Sequence, residues 1–181
     1  MDDIKLLGER TISNIKSIQD FQVFTGHSYS MYLEMVKLGY LNGSVTNIQT
    51  QTSISKEEMS KILLGYMDNE LQQIVFYEVV ACFDYFFVDF SKLKRIKENL
   101  KFEEKLKICG VSEDDILKLN EIRQTRHCFA HNSGFVDKKY IDKSGKFSRG
   151  GIGIKLVMNR PYAYDSLNFI KNKIIEFVDK H

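Results

Sequence analysis

Cysteine is scarce and shows no pairing pattern: Cys82, Cys109 and Cys128 are scattered, odd in number and form no C-x-x-C pair. That excludes a disulfide framework or a thiolate zinc site and marks reduced thiols. An excess of one charge is missing too. Lys and Arg number 26 against 24 Asp and Glu, a formal net charge of +2, so any electrostatic case for nucleic acid rests on where basic residues cluster. The start, MDDIKLLGER, has no basic stretch followed by an apolar run, so no secretory signal is expected. The most apolar stretch, Ile74 to Phe90, is shorter than a membrane span and carries Glu78, Asp84 and Asp89, which predicts a buried helix and no membrane partner. A cytoplasmic protein is the expectation. Internal repeats and low-complexity segments are absent from the sequence.

What is there suits one core. A chain of 181 residues, 43% hydrophobic and 28% charged, is expected to form a single domain over 1–181. Ile4, Leu7, Ile12, Ile15 and Ile18 predict an amphipathic helix to about Asp20, and Tyr29, Leu33, Val36 and Tyr40 a second one ended by Gly43. Ser44 to Ser53 reads as a polar loop. Ser55-Lys-Glu-Glu58 has the form of a capping box, and from Tyr66 through Cys109 neither Gly nor Pro forces a break. Ser112-Glu-Asp-Asp115 repeats the cap, with three acidic residues to complement the helix dipole, and opens a helix over about 112–133. Residues 138–160, with Gly145, Gly150, Gly151 and Gly153, predict a basic Gly-rich loop or hairpin, with Gly-Ile-Gly-Ile-Lys-Leu-Val as its strand. Pro161 opens a last helix with an apolar stripe of Leu167, Ile170, Ile174, Phe177 and Val178. The sum is an all-α bundle of about five helices with one short loop or β-hairpin insertion near the C-terminus.

The chemistry gathers in RHCFAHNSGFVDKKY, Arg126 to Tyr140. At about 100° per residue, Arg123, His127 and His131 form one stripe, with Arg126 about 140° around from His131. Ala130 and His127 lie between those two. Cleaving RNA without a metal needs a base for the ribose 2′-OH, an acid for the leaving 5′-oxygen and a cation for the charge on phosphorus. Histidine and arginine supply these. From Ile122 through Val136 there is no carboxylate, which argues against a magnesium site built on this segment alone.

This string resembles the signature of the HEPN superfamily (higher eukaryotes and prokaryotes nucleotide-binding), in which an Arg is followed after four to six residues by a His. Asn132, Gly134 and Val136-Asp137-Lys138-Lys139-Tyr140 resemble one branch reading HN-x-G-x-VD with a basic-aromatic end. The resemblance implies a HEPN-like helical bundle and a metal-independent endoribonuclease without cofactor, leaving a 2′,3′-cyclic phosphate. It implies Arg126 and His131 as catalytic residues, with His127 and Asn132 in support; Arg123, on the same helical stripe, is a further supporting candidate. It further implies a homodimer with the motif at the interface, and a toxin or antiviral-defence role held in check by an antitoxin or nucleotidyltransferase partner. Lys138, Lys139, Lys143, Lys146 and Arg149 are the candidate contacts to the RNA backbone. His127 stands where the family most often has Asn, which alters how Arg126 is held or adds a second titrating group.

Blander readings stand beside these. Arg126 is also suited to a structural ion pair with Asp84 or Glu78. His127 and His131 have metal-ligand spacing but lack the Glu of H-E-x-x-H, and the only other histidines are His27 and His181. Arg123 is most simply a solvated charge. Ser144-Gly-Lys146 and Gly150 to Gly153 lack the spacing of phosphate loops and read as turns. A non-catalytic HEPN module that binds RNA, nucleotide or protein is the alternative function.

Overall fold

The computed structural model describes residues 2–38, 45–47 and 52–180. Among them the chain is all-α: α1 (Asp2–Lys37), α2 (Lys56–Gly65), α3 (Leu71–Leu93), α4 (Phe102–Ile108), α5 (Glu113–His131), α6 (Lys138–Ser144) and α7 (Arg160–Lys180). A two-stranded antiparallel pairing, β1 (Val45–Asn47) with β2 (Thr52–Ile54), sits where the sequence reads as a loop. The expected helix end at Gly43, with Tyr40, lies outside the described residues.

The first helix is one rod of 36 residues where periodicity predicts two. Its inward stripe loses apolar character at Gln22 and Gly26, which hides the continuity. Gln22 instead donates to Oε1 of the buried Gln72 at 2.8 Å, and a Cβ on Gly26 would meet Met67 Cε at an ordinary 3.5 Å. Nearer the start, Gly8 lets α1 cross α7: a Cβ there would stand 2.3 Å from Val178 Cγ2.

α2 begins on the capping box, with Ser55 Oγ accepting from Glu58 N–H and the Glu58 carboxylate from Ser55 N–H. A π turn over Tyr66–Glu70 joins it to α3. α3 packs on α1, α7 and α5, and buries Phe83, Phe86, Phe87 and Phe90. Phe177 of α7 packs into that row with its ring tilted, 5.1 Å from Phe90 between ring centroids. The far side of α3 is open, with Ile74, Tyr85 and Val88 exposed, so the apolar run is not buried all round.

Without Gly or Pro to stop it, α3 still ends at Leu93. Arg95 takes the left-handed conformation (φ 54°), so that Arg95 N–H reaches Lys92 O and Ile96 N–H reaches Ser91 O. This closes the helix as a Schellman motif, with Arg in the place usually held by Gly. α4 closes the same way with Gly110 (φ 72°), its bond from Val111 N–H to Leu106 O aligning the chain for α5. α5 starts on Ser112, whose Oγ accepts from Asp115 N–H at 3.2 Å.

Residues 138–160 differ from the loop or hairpin predicted for them. Asp137 caps a short helix, α6, by accepting from Tyr140 N–H at 2.7 Å, and Tyr140 is fully buried. A 3-10 turn over Gly145–Phe147 follows. The Gly-rich stretch makes only a single bridge, Phe135 with Lys155, held by Val136 N–H to Ile154 O, Gly153 N–H to Val136 O and Leu156 N–H to Gly134 O. The facing segment cannot extend it, because Asp137 directly after Val136 already caps α6. Cys128, Val136, Tyr140 and Leu156 form a second small core beneath it.

Candidate active site

Two faces of α5 do different work. One carries Glu121, Thr125 and Cys128 inward. The other, with Arg123, Arg126, His127, Ala130 and His131, forms the wall of a cleft of about 440 Å³. Asp84 of α3, Phe102 and Glu103 of α4, and Lys139 and Lys143 of α6 complete it.

The cleft is ordered by its ion pairs. Asp84 Oδ1 accepts Arg123 Nε at 2.7 Å, and Asp84 Oδ2 lies 3.6 Å from Arg126 Nη1. The Arg123 guanidinium also lies over the Phe102 ring, 3.8 Å from its centroid. Glu103 pairs with Lys143, whose ammonium holds the Glu103 carboxyl below the usual range against the opposing effect of burial. Arg126 keeps 40% of its side chain exposed. The structural ion pair foreseen for Arg126 therefore exists, and it lies inside the cleft, not away from it.

The His127 and His131 rings lie side by side one helical turn apart, tilted at 49° with centroids 4.7 Å apart. Partial burial lowers the His127 pKa first, then the like charges of Lys139 and His131, with Asp137 pulling the other way. Ala130, small and exposed on the Arg126 side of the pair, leaves that part of the wall open to a ligand.

The remaining candidates divide. Lys139 and Lys143 reach the cleft; Lys138 is exposed and, with Lys146 and Arg149, is not part of its lining. Lys146 pairs with Asp114. Arg149 turns inward: its Nε meets Glu121 Oε1 at 2.9 Å, its Nη1 donates to Val157 O at 3.2 Å and its Nη2 to Thr125 Oγ1 at 3.1 Å. Asn132 also turns from the cleft, donating to Asp137 Oδ2 at 3.0 Å. The H-N-x-G-x-V-D string thus has a local structural meaning. Asn132 steadies the residue that caps α6, while Gly134 (φ 87°) makes the left-handed turn between the helices, where a Cβ would press within 3.1 Å of the Phe129 ring.

Sequence reasoning missed Phe102 and Glu103, which only the tertiary packing of α4 on α5 brings in, and Asn120 and Gln124, which the helical spacing of α5 sets on the same stripe as His127 and His131. Asp84 had a signal, a carboxylate in an apolar run. Among the described residues no three His, Cys, Asp or Glu side chains converge as a metal site needs, and no helix is long and apolar enough to cross a membrane. Comparison with protein-family models, curated proteins and solved structures gives no match to this chain.

Proposed function

We propose that the cleft is the active site of a metal-independent endoribonuclease of HEPN type, acting as a homodimer on RNA. The observation that carries this reading is the meeting of Arg126, His127, His131 and Lys139 in one open cleft. In this reading Arg126 binds a phosphate oxygen and the charge that develops on it, and His131 moves a proton. Lys139 and Lys143 add sequence-independent attraction for the backbone. Cleavage by 2′-OH attack would leave a 2′,3′-cyclic phosphate and a 5′-hydroxyl. A toxin or antiviral effector restrained by an antitoxin or nucleotidyltransferase partner is the biological role the HEPN resemblance implies.

The test is cleavage of a mixed RNA pool by purified protein in EDTA. Loss by about 10²-fold or more in both His131→Ala and Arg126→Ala is the expected result. The hold of Asp84 on Arg123 and Arg126 favours a second reading, a non-catalytic module that binds RNA or a partner through a pre-neutralised surface. Binding without cleavage in wild type and both variants would establish it instead.

A further inference from the structure

Attack of a 2′-oxygen on phosphorus needs one group to take the 2′-OH proton and another to protonate the departing 5′-oxygen. A single histidine per chain would leave half of that work to a second subunit. This chain carries two in one place. His127 and His131 stand side by side on α5, 4.7 Å apart between ring centroids, and both open on the cleft that Arg126 lines. The entering and leaving oxygens flank one phosphorus atom, so two neighbouring rings on the same wall can each address one of them. Resting on the ribonuclease reading above, we propose that His127 is a second catalytic residue and that the His127–His131 pair supplies base and acid from a single chain.

The division of labour follows from the surroundings. A charge on His131 disfavours a proton on His127, so the two neighbouring rings are set apart for different roles. Lys139 of α6 disfavours a proton on His127, and Asp137 at the α6 cap only partly opposes this. From α5 itself Arg123 and Arg126 face the same cleft, as do Lys143 of α6, Glu103 of α4 and Asp84 of α3, whose single charge offsets one of the two arginines. His127, the ring on which a proton is disfavoured, is then the one to take the 2′-OH proton, which leaves His131 to give one to the 5′-oxygen. The 2′-OH proton passes to His127 as the bond from the 2′-oxygen to phosphorus forms. The bond from phosphorus to the 5′-oxygen breaks, and that oxygen takes the His131 proton. One proton returning through solvent from His127 to His131 resets the pair, with no metal or redox partner in the balance.

The test uses the full chain in EDTA with a mixed RNA pool. His127→Ala, His127→Gln and His131→Ala are each assayed alone, and differently tagged His127→Ala and His131→Ala chains are co-expressed and isolated together. Each variant is expected to cleave about 10²-fold or more slowly with little change in RNA affinity and an unchanged circular dichroism spectrum. The co-expressed pair is expected to be as inactive as either variant. Near-wild-type cleavage by the His127 variants overturns the proposal and leaves the ribonuclease reading intact. Recovery of a large share of activity in the mixed protein also overturns it, by placing the two histidines of a working site on different chains. A wild type that cleaves nothing overturns the ribonuclease reading itself, and the pair's role with it.

Discussion

Glu121 and Arg149, 28 residues apart in sequence, meet at 2.9 Å around a carboxylate with no exposed side-chain surface. Tyr140, Tyr162 and Thr125 donate hydroxyl hydrogen bonds to the same carboxylate, and Lys118 lies 3.3 Å from it. The Arg149 guanidinium also lies 3.4 Å from the centroid of the Tyr162 ring. The cluster ties α5 to α6, to the loop after it and to α7, and so braces the back of the helix whose front lines the cleft.

Arg149→Ala is expected to act on stability before function. It strands a buried carboxylate that keeps only neutral donors and Lys118, a loss of about 3 kcal/mol. Chemical denaturation would measure this, and RNA affinity of the folded protein would fall less than in Lys139→Ala. Unchanged stability with a large loss of affinity would return Arg149 to the RNA-binding surface.

Gly8 and Val178 form a second coupled pair. With a Cβ only 2.3 Å from Val178 Cγ2, Gly8→Ala must push α1 and α7 apart or turn the valine, at about 1–3 kcal/mol. Val178→Ala removes the obstacle. The double variant is therefore expected to be more stable than the sum of the two single losses implies, and a denaturation cycle across the four proteins checks it. Strict additivity would mean that the helices do not touch there.

Legibility in the sequence follows the range of the interactions. The cap at Ser55 is readable because Ser55 and Glu58 complete it between themselves, and the all-α class is readable from apolar periodicity. The continuity of α1 is not, because Gln22 and Gly26 are accommodated by Gln72 and Met67 about fifty and forty residues away. The end of α3 escapes notice because Arg95 adopts a backbone conformation that favours Gly. In the cleft, the spacing of Arg123, Arg126, His127 and His131 is a property of one helix and can be worked out from it. Which basic residue faces outward is not, since Arg149 and Lys139 differ only in that one finds Glu121.

Asp84→Asn tests what the cleft carboxylate does. The substitution keeps a polar group beside Arg123 but removes the negative charge nearest the proposed phosphate position. RNA is expected to bind at least as tightly and with a steeper salt dependence, because two guanidinium groups are released to it. Cleavage is expected to slow by about tenfold as Arg126 loses its orientation. Titration of binding against salt, followed by single-turnover cleavage, separates the two effects. Weaker binding would make Asp84 a structural brace only.

Lys139→Met bears on protonation. Burial, Lys139 and His131 hold the His127 pKa below its ordinary value of about 6.5, and Asp137 acts in the opposite sense. Removing the ammonium from α6 takes away one of the charges that disfavour a proton on the ring, so the titration midpoint of His127 is expected to rise. The ring-proton resonance, assigned by its disappearance in His127→Ala, gives that midpoint directly. If His127 acts as the base, a higher midpoint leaves less of it neutral on the acid side, and the acid limb of the rate profile moves to higher pH. Without the lysine's attraction for the phosphate backbone RNA also binds more weakly, so the shift must be read in single-turnover rates at saturating RNA. A midpoint that rises while the acid limb stays fixed would show that the rate does not depend on the protonation of His127.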